Sequence, residues 1–506
     1  MNDLYITTSI PYVNGAPHLG HALEFVHVDA LARHRRHRGG QVRVQSGTDD
    51  HAIKNVSAAQ AAGVPVAEFV GANGDQFAGL AAALGVHTDE FLRTSSDPRH
   101  AAAVSALWRA CQATGDLYTK DYAGLYCPGC EQFYGPAELD DGSCVEHRTP
   151  VVEVTETNWF FRLSRYREQI TDLITSGRLD ITPLERRNEV LGFLAGDVHD
   201  LSVSRPAART HGWGIPVPGD PEQVVYVWFD ALTNYLTGLG YGSSSDSETG
   251  TGYRRWWAGG GERVHVIGKG IVRFHAVYWI AFLLSAGLPL PTRVLVHDYL
   301  TVDGAKIAKS GAQAADPATL VADYSADAVR WWLLRDPAPV ATTDFTIEKL
   351  VSAYNRDLAN TLGNLAARAL TLSRRDAAWR TAATTDVGDD LLRQSAGLPA
   401  AVDQALARYD FRTACEAIAA LAEAGNRFIE DETPWHLAKT ADAGDTYAAQ
   451  RFEAVIDTIL AACRVAADEL VPFIPNGATR LAAQLEPHQT KPAPAFPRIT
   501  QQETTT

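Results

Sequence analysis

The sequence has few of the features that mark secreted, membrane-spanning or indiscriminately nucleic-acid-binding proteins. Six cysteines in 506 residues are too few for a disulfide framework in a chain of this size. No apolar stretch reaches the ~18 residues of a membrane span, and Met1-Asn2-Asp3 begins no secretory signal. The formal net charge of −15 argues against a surface that is basic throughout. We therefore expect a cytoplasmic protein of several domains that makes no membrane contact.

A strand, a turn and a helix start lie near the beginning of the chain. The run Leu4-Tyr5-Ile6 precedes Ser9-Ile10-Pro11-Tyr12-Val13-Asn14-Gly15-Ala16-Pro17-His18-Leu19-Gly20-His21, which opens a helix predicted to reach His37. A helix N-terminus presents unpaired N–H groups and the positive end of its dipole to an anion. Gly20 lets a flat group or a phosphate approach the backbone, and His18 and His21 can donate hydrogen bonds to phosphoryl oxygens. The segment predicts a phosphate-binding site.

A glycine-bearing loop with two lysines follows the apolar run Val294-Leu295-Val296. It reads Thr301-Val302-Asp303-Gly304-Ala305-Lys306-Ile307-Ala308-Lys309-Ser310. Such lysines suit a polyphosphate, although the loop taken alone also fits an exposed turn with solvated lysines. In this order the two segments resemble the HIGH and KMSKS signatures of class I aminoacyl-tRNA synthetases. From about Leu4 to about Phe473 the sequence is similar to methionyl-tRNA synthetases in particular.

The resemblance implies that the chain uses ATP, accompanied by Mg²⁺, to form methionyl-adenylate and then transfers the methionyl group to tRNA(Met). No side-chain nucleophile is needed because the methionine carboxylate attacks the α-phosphate directly. The implied catalytic residues are His18, His21, Lys306 and Lys309. The implied ATP-binding residues are Asn14, Gly20, Gly268, Lys306, Lys309 and Ser310. We expect a monomer whose partners are ATP, methionine and tRNA(Met).

The resemblance also implies a methionine pocket built from apolar and aromatic side chains. A polarizable thioether fits such a slot through sulfur–aromatic contacts, and tyrosine and histidine supply the few polar contacts that fix its orientation. Asp49 is expected to bind the α-ammonium group, because a buried cation requires a carboxylate. The other expected pocket residues are Ile10, Tyr12, Trp228, Leu232, Tyr235, Ile271, Phe274 and His275.

The pattern along the chain predicts an α/β fold: a Rossmann-type parallel sheet with an inserted zinc-knuckle domain, followed by an α-helical bundle. Predicted strands at residues 4–7 and 41–44 alternate with predicted helices at 22–37 and 66–84, which favours a parallel sheet. Buried-strand runs at 224–229 and 263–268 resume the sheet, and helical periodicity begins at 350. The predicted domains are 1–117 and 221–296 (the halves of the Rossmann domain), 118–220 (the insertion, with its knuckle at 127–147), 297–349 (the lysine-loop region), 350–489 (the anticodon-binding bundle) and 490–506 (a flexible tail).

Two short motifs predict a structural zinc site. Cys127-Pro128-Gly129-Cys130 and Cys144-Val145-Glu146-His147 each place two ligands around a two-residue spacer, which suits tetrahedral Zn²⁺. Four protein ligands leave no open position for substrate, so the expected role of the ion is structural. Methionyl-tRNA synthetases carry a zinc knuckle at the corresponding position.

In the helical section, Asn364 and Arg368 are four residues apart and share one helix face. Trp435 follows Pro434 after Asn426-Arg427-Phe428-Ile429. The resemblance implies that Asn364, Arg368 and Trp435 read the anticodon, since single-stranded bases are recognised by stacking and by hydrogen bonds to their edges. Without the resemblance, a surface Asn–Arg pair and a packed tryptophan would be the better interpretation.

Some nucleotide-binding positions depart from the family pattern, and two alternative functions follow from that. Gly270 stands where the family usually has Asp, so we expect Gly270→Asp to strengthen ATP binding unless Asp298 or a water supplies the missing acceptor. The lysine loop has also lost its middle serine. One alternative is a paralogue that adenylates an amino acid and transfers it to a small amine or hydroxyl acceptor. The other is an inactive tRNA-binding regulatory protein.

Overall fold

The computed structural model describes residues 3–127, 132–135, 138–146, 148–243, 248–302, 304–306, 316–375, 378–380, 387–486 and 493–500. The chain divides into two compact units. The first comprises Met1–Val28, Arg38–Ala82 and Val86–Tyr299, and the second comprises Asp29–His37, Ala83–Gly85 and Leu300–Thr506. None of the helices formed by the described residues has both the length and the apolarity needed to cross a membrane.

The beginning of the chain alternates strands and helices, as the sequence pattern predicts. The elements are β1 (Leu4–Thr7), α1 (Leu19–His37), β2 (Val42–Thr48), α2 (Ile53–Ala62), α3 (Val66–Ala83), β3 (Glu90–Arg93) and α4 (His100–Ala113). Short strands and two helices follow: β4 (Leu117–Cys127), β5 (Gln132–Tyr134), β6 (Leu139–Asp140), β7 (Ser143–Cys144), β8 (Val152–Phe161), α5 (Arg167–Thr175), β9 (Asp180–Thr182), α6 (Leu184–Ala195), β10 (Leu201–Ser202), β11 (Ser204–Pro206), β12 (Pro216–Val217) and β13 (Asp220–Val225). The first unit ends with α7 (Val227–Thr237), α8 (Glu248–Tyr253), β14 (Glu262–Gly268), α9 (Trp279–Ser285) and β15 (Arg293–His297).

A six-stranded sheet with the order β3-β2-β1-β14-β15-β9 forms the centre of the first unit. All of its pairings are parallel, and Ile6 of β1 lies opposite Val44 of β2 and Val264 of β14. β2 and β3 lie on one side of β1, and β14, β15 and β9 lie on the other. The boundary between β1 and β14 is therefore a topological switch point, where ligands of open α/β sheets bind at the carboxyl ends of the strands.

The sequence pattern misplaced two details of this unit. The run at 224–229 is not one strand, because β13 ends at Val225 and α7 begins at Val227. The interval 118–220, predicted as an insertion, contains β9, which pairs in parallel with β15 and forms one edge of the main sheet. The rest of this interval forms smaller antiparallel sheets, the longest pair being β4 with β8.

The second unit contains a small sheet and a set of helices. Its elements are β16 (Leu300–Val302), β17 (Ala305–Lys306), α10 (Pro317–Tyr324), α11 (Ala326–Arg335), β18 (Thr343–Phe345), α12 (Ile347–Tyr354), α13 (Asn364–Ser373), α14 (Asp389–Ala407), α15 (Phe411–Glu432), α16 (Pro434–Asp442), α17 (Thr446–Glu469) and α18 (Pro475–Gln484). A π-helical segment, Asn355–Gly363, joins α12 to α13. The predicted parallel sheet and helical bundle are confirmed, whereas the zinc-knuckle insertion stays a prediction.

Candidate active site

The carboxylate of Glu24 connects the segment after β1 to the neighbouring elements through hydrogen bonds. The backbone N–H and hydroxyl of Ser9 donate hydrogen bonds to Oε1 of Glu24 at 2.5 and 2.6 Å. The other oxygen of Glu24 lies 3.0 Å from Nε2 of His297, at the end of β15. Because Glu24 is on α1, this buried side chain holds the ends of β1 and β15 and the start of α1 together at the switch point.

The two histidines of the helix start form a stacked pair. The rings of His18 and His21 lie 3.8 Å apart between centroids. The backbone N–H of His18 donates to Nδ1 of His21 at 3.0 Å, and that of Gly20 donates to Nδ1 of His18 at 3.1 Å. Since both Nδ1 atoms accept, each neutral ring carries its proton on Nε2. A Cβ at Gly20 would lie 3.0 Å from the His18 ring, so the glycine permits this close packing.

A cluster of aromatic side chains adjoins the switch point. Trp228, in the first turn of α7, stacks on Phe274 with ring centroids 3.8 Å apart and planes 7° apart. Tyr12 lies 6.2 Å from the same indole ring. Phe274 and His275 lie on a π-helical turn, Phe274–Tyr278, a local widening that is frequent at functional sites. The structure thus brings together expected pocket residues from three segments of the chain.

The polar side of the cluster is a neutral hydrogen-bonded pair. His275 Nδ1 lies 3.0 Å from the carbonyl oxygen of Ile271, which can only accept, so this nitrogen carries the proton. The Tyr235 hydroxyl therefore donates to Nε2 of His275 at 2.8 Å. Burial lowers the pKa of His275 to about 4 and raises the pKa of Tyr235 well above its usual value. Both groups are uncharged at neutral pH, which suits an uncharged ligand side chain.

Asp49 lies beside Tyr12, immediately after β2. The two residues form an isolated parallel bridge, in which the N–H of Asp49 donates to the carbonyl of Pro11 at 2.9 Å. The Asp49 side chain is buried, and its Oδ1 accepts from the N–H of His51 at 3.2 Å. Leu232 lies one helical turn after Trp228 and is buried, whereas Ile10 and Ile271 are half-buried. A carboxylate next to an aromatic cluster matches an apolar amino acid with a charged ammonium group.

A buried network of charged side chains, which the sequence analysis did not predict, includes Asp230 of α7, the helix that carries Trp228. Nδ1 of His51 lies 2.7 Å from Oδ2 of Asp230, and Nε2 of His100 lies 2.6 Å from Oδ1. Burial alone would raise the pKa of Asp230, but the charge of His51 and the hydrogen bonds from both histidines lower it. Burial would lower the pKa of His51, but Asp230 raises it. The signal was available, because a carboxylate within the apolar run Tyr226-Val227-Trp228-Phe229-Asp230 requires a buried partner.

Lys269, which follows β14, belongs to a second charged group with Asp298, which follows β15, and Arg186 of α6. Asp298 contacts Lys269 Nζ at 2.5 Å and Arg186 Nη2 at 2.7 Å. Burial would raise the pKa of Asp298, but these cations hold it below its usual value. A Cβ at Gly270 would lie 2.2 Å from the hydroxyl of Tyr299, which also lies 3.2 Å from Oε1 of Glu146. Tyr299 therefore fills the volume that a side chain at position 270 would occupy.

The remaining expected nucleotide residues are described to different extents. Asn14 lies half-buried in the bend before α1, and Gly268 is the last residue of β14. Lys306 belongs to β17, which pairs with β16 in the second unit. Lys309 and Ser310 lie outside the described residues, as does the side chain of Lys306.

The expected anticodon residues lie on two helices of the second unit. Asn364 begins α13, and Arg368 follows one turn later. Arg368 donates to Glu430 at 2.6 Å and lies 5.6 Å from the centre of the Trp435 ring. Trp435 is 37% exposed, near the start of α16, so its ring is partly open to solvent. The structure brings Arg368 and Trp435 together and leaves an aromatic face accessible for stacking.

Of the expected zinc ligands, Cys127 ends β4 and Cys144 ends β7, and both are buried. After Cys144 the chain turns tightly, with the N–H of Arg148 donating to the Cys144 carbonyl at 2.7 Å. Cys130 and His147 lie outside the described residues. Buried thiols beside a tight turn fit a zinc knuckle. Within the described part of the chain, the one His/Cys/carboxylate group spaced to hold a metal is His37, Asp468 and Glu469, in the second unit.

Comparison with known proteins identifies the family. The family described as tRNA synthetases class I (M) matches residues 4–370, and the anticodon binding domain of methionyl tRNA ligase matches residues 380–502. The chain belongs to the methionyl-tRNA synthetase family. It is 39% identical over 488 residues to the methionine–tRNA ligase of Mycobacterium bovis, covering 95% of this chain and 91% of that protein. The enzyme of the same name from Brucella suis is 39% identical over 484 residues, covering 94% of this chain and 90% of that protein.

The fold of this methionyl-tRNA synthetase family member is also similar to that of a solved structure. Mycobacterium tuberculosis methionyl-tRNA synthetase in complex with methionyl-adenylate superposes with a TM-score of 0.89 at 36% sequence identity. The match covers 98% of this chain and 100% of that one. The likeness therefore includes both the sheet unit and the helical unit.

Proposed function

We propose that this synthetase activates methionine with ATP and transfers the methionyl group to tRNA(Met). One observation carries the proposal: Asp49 is bridged to Tyr12, whose ring lies 6.2 Å from the Trp228 ring. Trp228 in turn stacks on Phe274 and lies 6.3 Å from His275, the hydrogen-bond partner of Tyr235. An apolar aromatic slot with one adjacent carboxylate fits a thioether amino acid held by its ammonium group. Relatives that match nearly the whole chain are methionine–tRNA ligases, and this disfavours both alternative functions.

The chemistry requires positioning rather than a protein nucleophile. A carboxylate oxygen of methionine attacks the α-phosphorus of ATP, the bond to the β-phosphate breaks, and pyrophosphate leaves. A ribose hydroxyl of the tRNA terminus then attacks the adenylate carbonyl and releases AMP. His18 and His21, each with its proton on Nε2, donate hydrogen bonds to phosphoryl oxygens as negative charge develops there.

The residues expected from the sequence are proposed to bind the nucleotide. Asn14, Gly20 and Gly268 are proposed to line the nucleotide, since the loops after β1 and β14 meet at the switch point. Lys306, Lys309 and Ser310 are proposed to neutralise and hold the polyphosphate. Mg²⁺ that arrives with ATP would offset further phosphate charge.

The second unit is proposed to select the tRNA. Trp435 offers a stacking face, Arg368 a planar donor and Asn364 an amide that can read a base edge. A structural Zn²⁺ held by Cys127, Cys130, Cys144 and His147 is proposed for the knuckle, supported by the motif spacing and the burial of the first and third ligands. A cytoplasmic monomer remains part of the proposal, as do the domain limits given above, except that β9 within 118–220 belongs to the main sheet.

The proposed transfer step is tested by aminoacylation with purified tRNA(Met), methionine and ATP. Acid-stable methionyl-tRNA(Met) is expected to accumulate, with little charging of a tRNA whose anticodon has been changed. Activation of methionine without transfer to tRNA(Met) would instead support the small-acceptor paralogue.

A further inference from the structure

Helix α3 contributes none of the residues expected in the active site, yet it contacts the segment that carries several of them. We refer to residues 9–21, which follow β1 and include the start of α1, as the signature segment. Asn73 and Phe77 of α3 are four residues apart, so their side chains share one helix face. Both side chains are buried, and each contacts the signature segment.

The amide of Asn73 holds the backbone of the signature segment. Its Nδ2 donates to the carbonyl oxygen of Val13 at 2.7 Å, and its Oδ1 accepts from Nε2 of Gln76 at 3.1 Å. Because a carbonyl oxygen can only accept, the NH₂ end of the Asn73 amide must face Val13. Val13 is fully buried and lies between Tyr12, an expected methionine contact, and Asn14, an expected nucleotide contact. Asn73 thus fixes the backbone between the two halves of the expected site.

Phe77 packs against one of the expected catalytic histidines. The ring centroids of Phe77 and His21 lie 4.9 Å apart with their planes at 70°, the edge-to-face arrangement that aromatic rings prefer. His21 also stacks on His18, and its Nδ1 accepts from the backbone N–H of His18. Two ring contacts and a hydrogen bond therefore restrict the orientation of the His21 imidazole.

Helix α3 is itself anchored at the end of another strand of the main sheet. Arg93, the last residue of β3, donates to Oδ1 of Asp75 at 2.6 Å. A Cβ at Gly74 would lie 3.3 Å from the Arg93 guanidinium group, so the glycine permits this close approach. The carboxyl ends of β1 and β3 lie at one edge of the same parallel sheet. Helix α3 therefore connects the end of β3 to the segment that follows β1.

Two adjacent residues of low helix propensity lie at these contacts. Asn73 and Gly74 occupy the interior of an 18-residue helix, where both are poor helix formers. Asn73 bonds to Val13, and Gly74 admits the guanidinium group of Arg93. Sequences depart from local propensity mainly at functional or strained sites. The pattern favours a role for this part of α3 beyond packing.

We propose that Asn73 and Phe77 are positioning residues for the formation of methionyl-adenylate. Asn73 keeps the signature segment in the conformation that brings the methionine carboxylate and the α-phosphate together. Phe77 keeps His21 in the orientation that stabilises the charge developing on the phosphoryl oxygens. Both residues act through other groups. This inference rests on the proposed activation of methionine by ATP and adds the helix that holds its site in place.

The role of Phe77 is tested by methionine-dependent ATP–pyrophosphate exchange with Phe77→Leu, His21→Asn and the double variant. Phe77→Leu is expected to lower kcat about tenfold or more, with the KM for methionine and the KM for ATP within about twofold of wild type. In the His21→Asn background the same change should alter kcat by less than about twofold, because Phe77 acts through His21. Phe160→Leu, the same substitution at a buried ring of β8, is the matched control for lost packing.

The role of Asn73 is tested by a measurement that does not depend on activity. Asn73→Leu keeps a branched side chain and removes the donor to Val13. Hydrogen–deuterium exchange of peptides spanning 9–22 is expected to become about tenfold faster or more, because backbone N–H groups there are hydrogen-bonded within the turn. Asn158→Leu, the same substitution at a buried asparagine of β8, should leave these amides unchanged.

The outcomes separate this inference from the proposed function. An equal loss of kcat when Phe77→Leu is added to wild type and to His21→Asn would overturn the role of Phe77. Unchanged hydrogen–deuterium exchange in Asn73→Leu would overturn the role of Asn73. If wild type shows no pyrophosphate exchange with methionine, the proposed function fails, and the hydrogen–deuterium exchange still decides whether α3 holds the signature segment.

Discussion

The imidazole Nδ1 of His51 lies 2.7 Å from a carboxylate oxygen of Asp230, and both side chains are almost entirely removed from solvent. This contact joins the end of β2, where Asp49 lies, to α7, where Trp228 begins the aromatic cluster. His100 of α4 contacts the other oxygen of the same carboxylate. Asp49, which we propose binds the ammonium group, and the aromatic cluster are thus connected by a buried charged network.

The His51–Asp230 pair should make stability depend on pH in a defined direction. The raised pKa of His51 contributes stability that is complete below about 6.5 and is lost as pH rises through the folded value. The lowered pKa of Asp230 contributes stability that is present above about 3.9 and is lost as pH falls further. Asp230→Asn should therefore lower the free energy of unfolding by about 3–5 kcal/mol between these two pH limits. The loss should be smaller at higher pH.

Thermal unfolding of wild type and Asp230→Asn across pH 5 to 9 measures this effect, with the exposed Asp197→Asn as a matched control in the same unit. The NMR titration of His51 should move to a lower pKa in Asp230→Asn. A destabilisation that does not change with pH would mean that the pair acts only by packing.

Gly270 should not tolerate a side chain while Tyr299 is present. A Cβ at position 270 would lie 2.2 Å from the tyrosine hydroxyl but 3.5 Å from the ring carbon that bears it. Gly270→Ala is expected to destabilise the protein by about 1–3 kcal/mol and to raise the KM for ATP. Gly270→Asp should do the same, which reverses the expectation drawn from the family pattern.

Tyr299→Phe in the same chain should relieve most of this penalty, because it removes the obstructing hydroxyl. Gly71→Ala serves as the control, since no atom lies within 4 Å of a Cβ built there. Melting temperatures and ATP KM values of the single and double variants measure the coupling. A neutral Gly270→Ala, or no rescue by Tyr299→Phe, would contradict the steric account.

The knuckle should hold about one Zn²⁺ per chain. Cys127→Ser is expected to release the ion and to slow transfer to tRNA more than adenylate formation, because the knuckle lies outside the main sheet. Metal analysis measures the first effect and paired exchange and charging assays the second, with Cys463→Ala as the control at a buried cysteine of α17. A folded, active preparation without zinc would rule the site out.

Trp435 should contribute to tRNA recognition without affecting amino-acid activation. Trp435→Ala removes a stacking face worth about 1–3 kcal/mol, so the KM for tRNA(Met) should rise while pyrophosphate exchange stays nearly constant. Tyr447→Ala, which removes a more exposed aromatic side chain of the same unit, is the control. Equal charging by wild type and Trp435→Ala would leave Trp435 with a packing role alone.

The sequence predicted the parallel sheet because its strands and helices alternate with strong periodicity. The pocket residues, such as Trp228 and His275, came from the family resemblance; the structure brings these two rings within 6.3 Å of each other, and their role stays a prediction. It misread residues 227–229 because a short apolar run fits a buried strand and a buried helix equally well. The partners of Asp230 were not predictable by spacing, since His51 and His100 come from segments more than 100 residues away. The Gly270–Tyr299 contact likewise depends on which loops meet at the switch point.

The central claim is most directly tested by ATP–pyrophosphate exchange across a panel of amino acids. Methionine is expected to give the largest signal, and norleucine a smaller one, because the missing sulfur contact costs only about 1–3 kcal/mol in a fitting apolar slot. Glycine, glutamate and other amino acids without a long apolar side chain should give almost none. Preference for one of these, or no exchange with any amino acid, would contradict methionine activation.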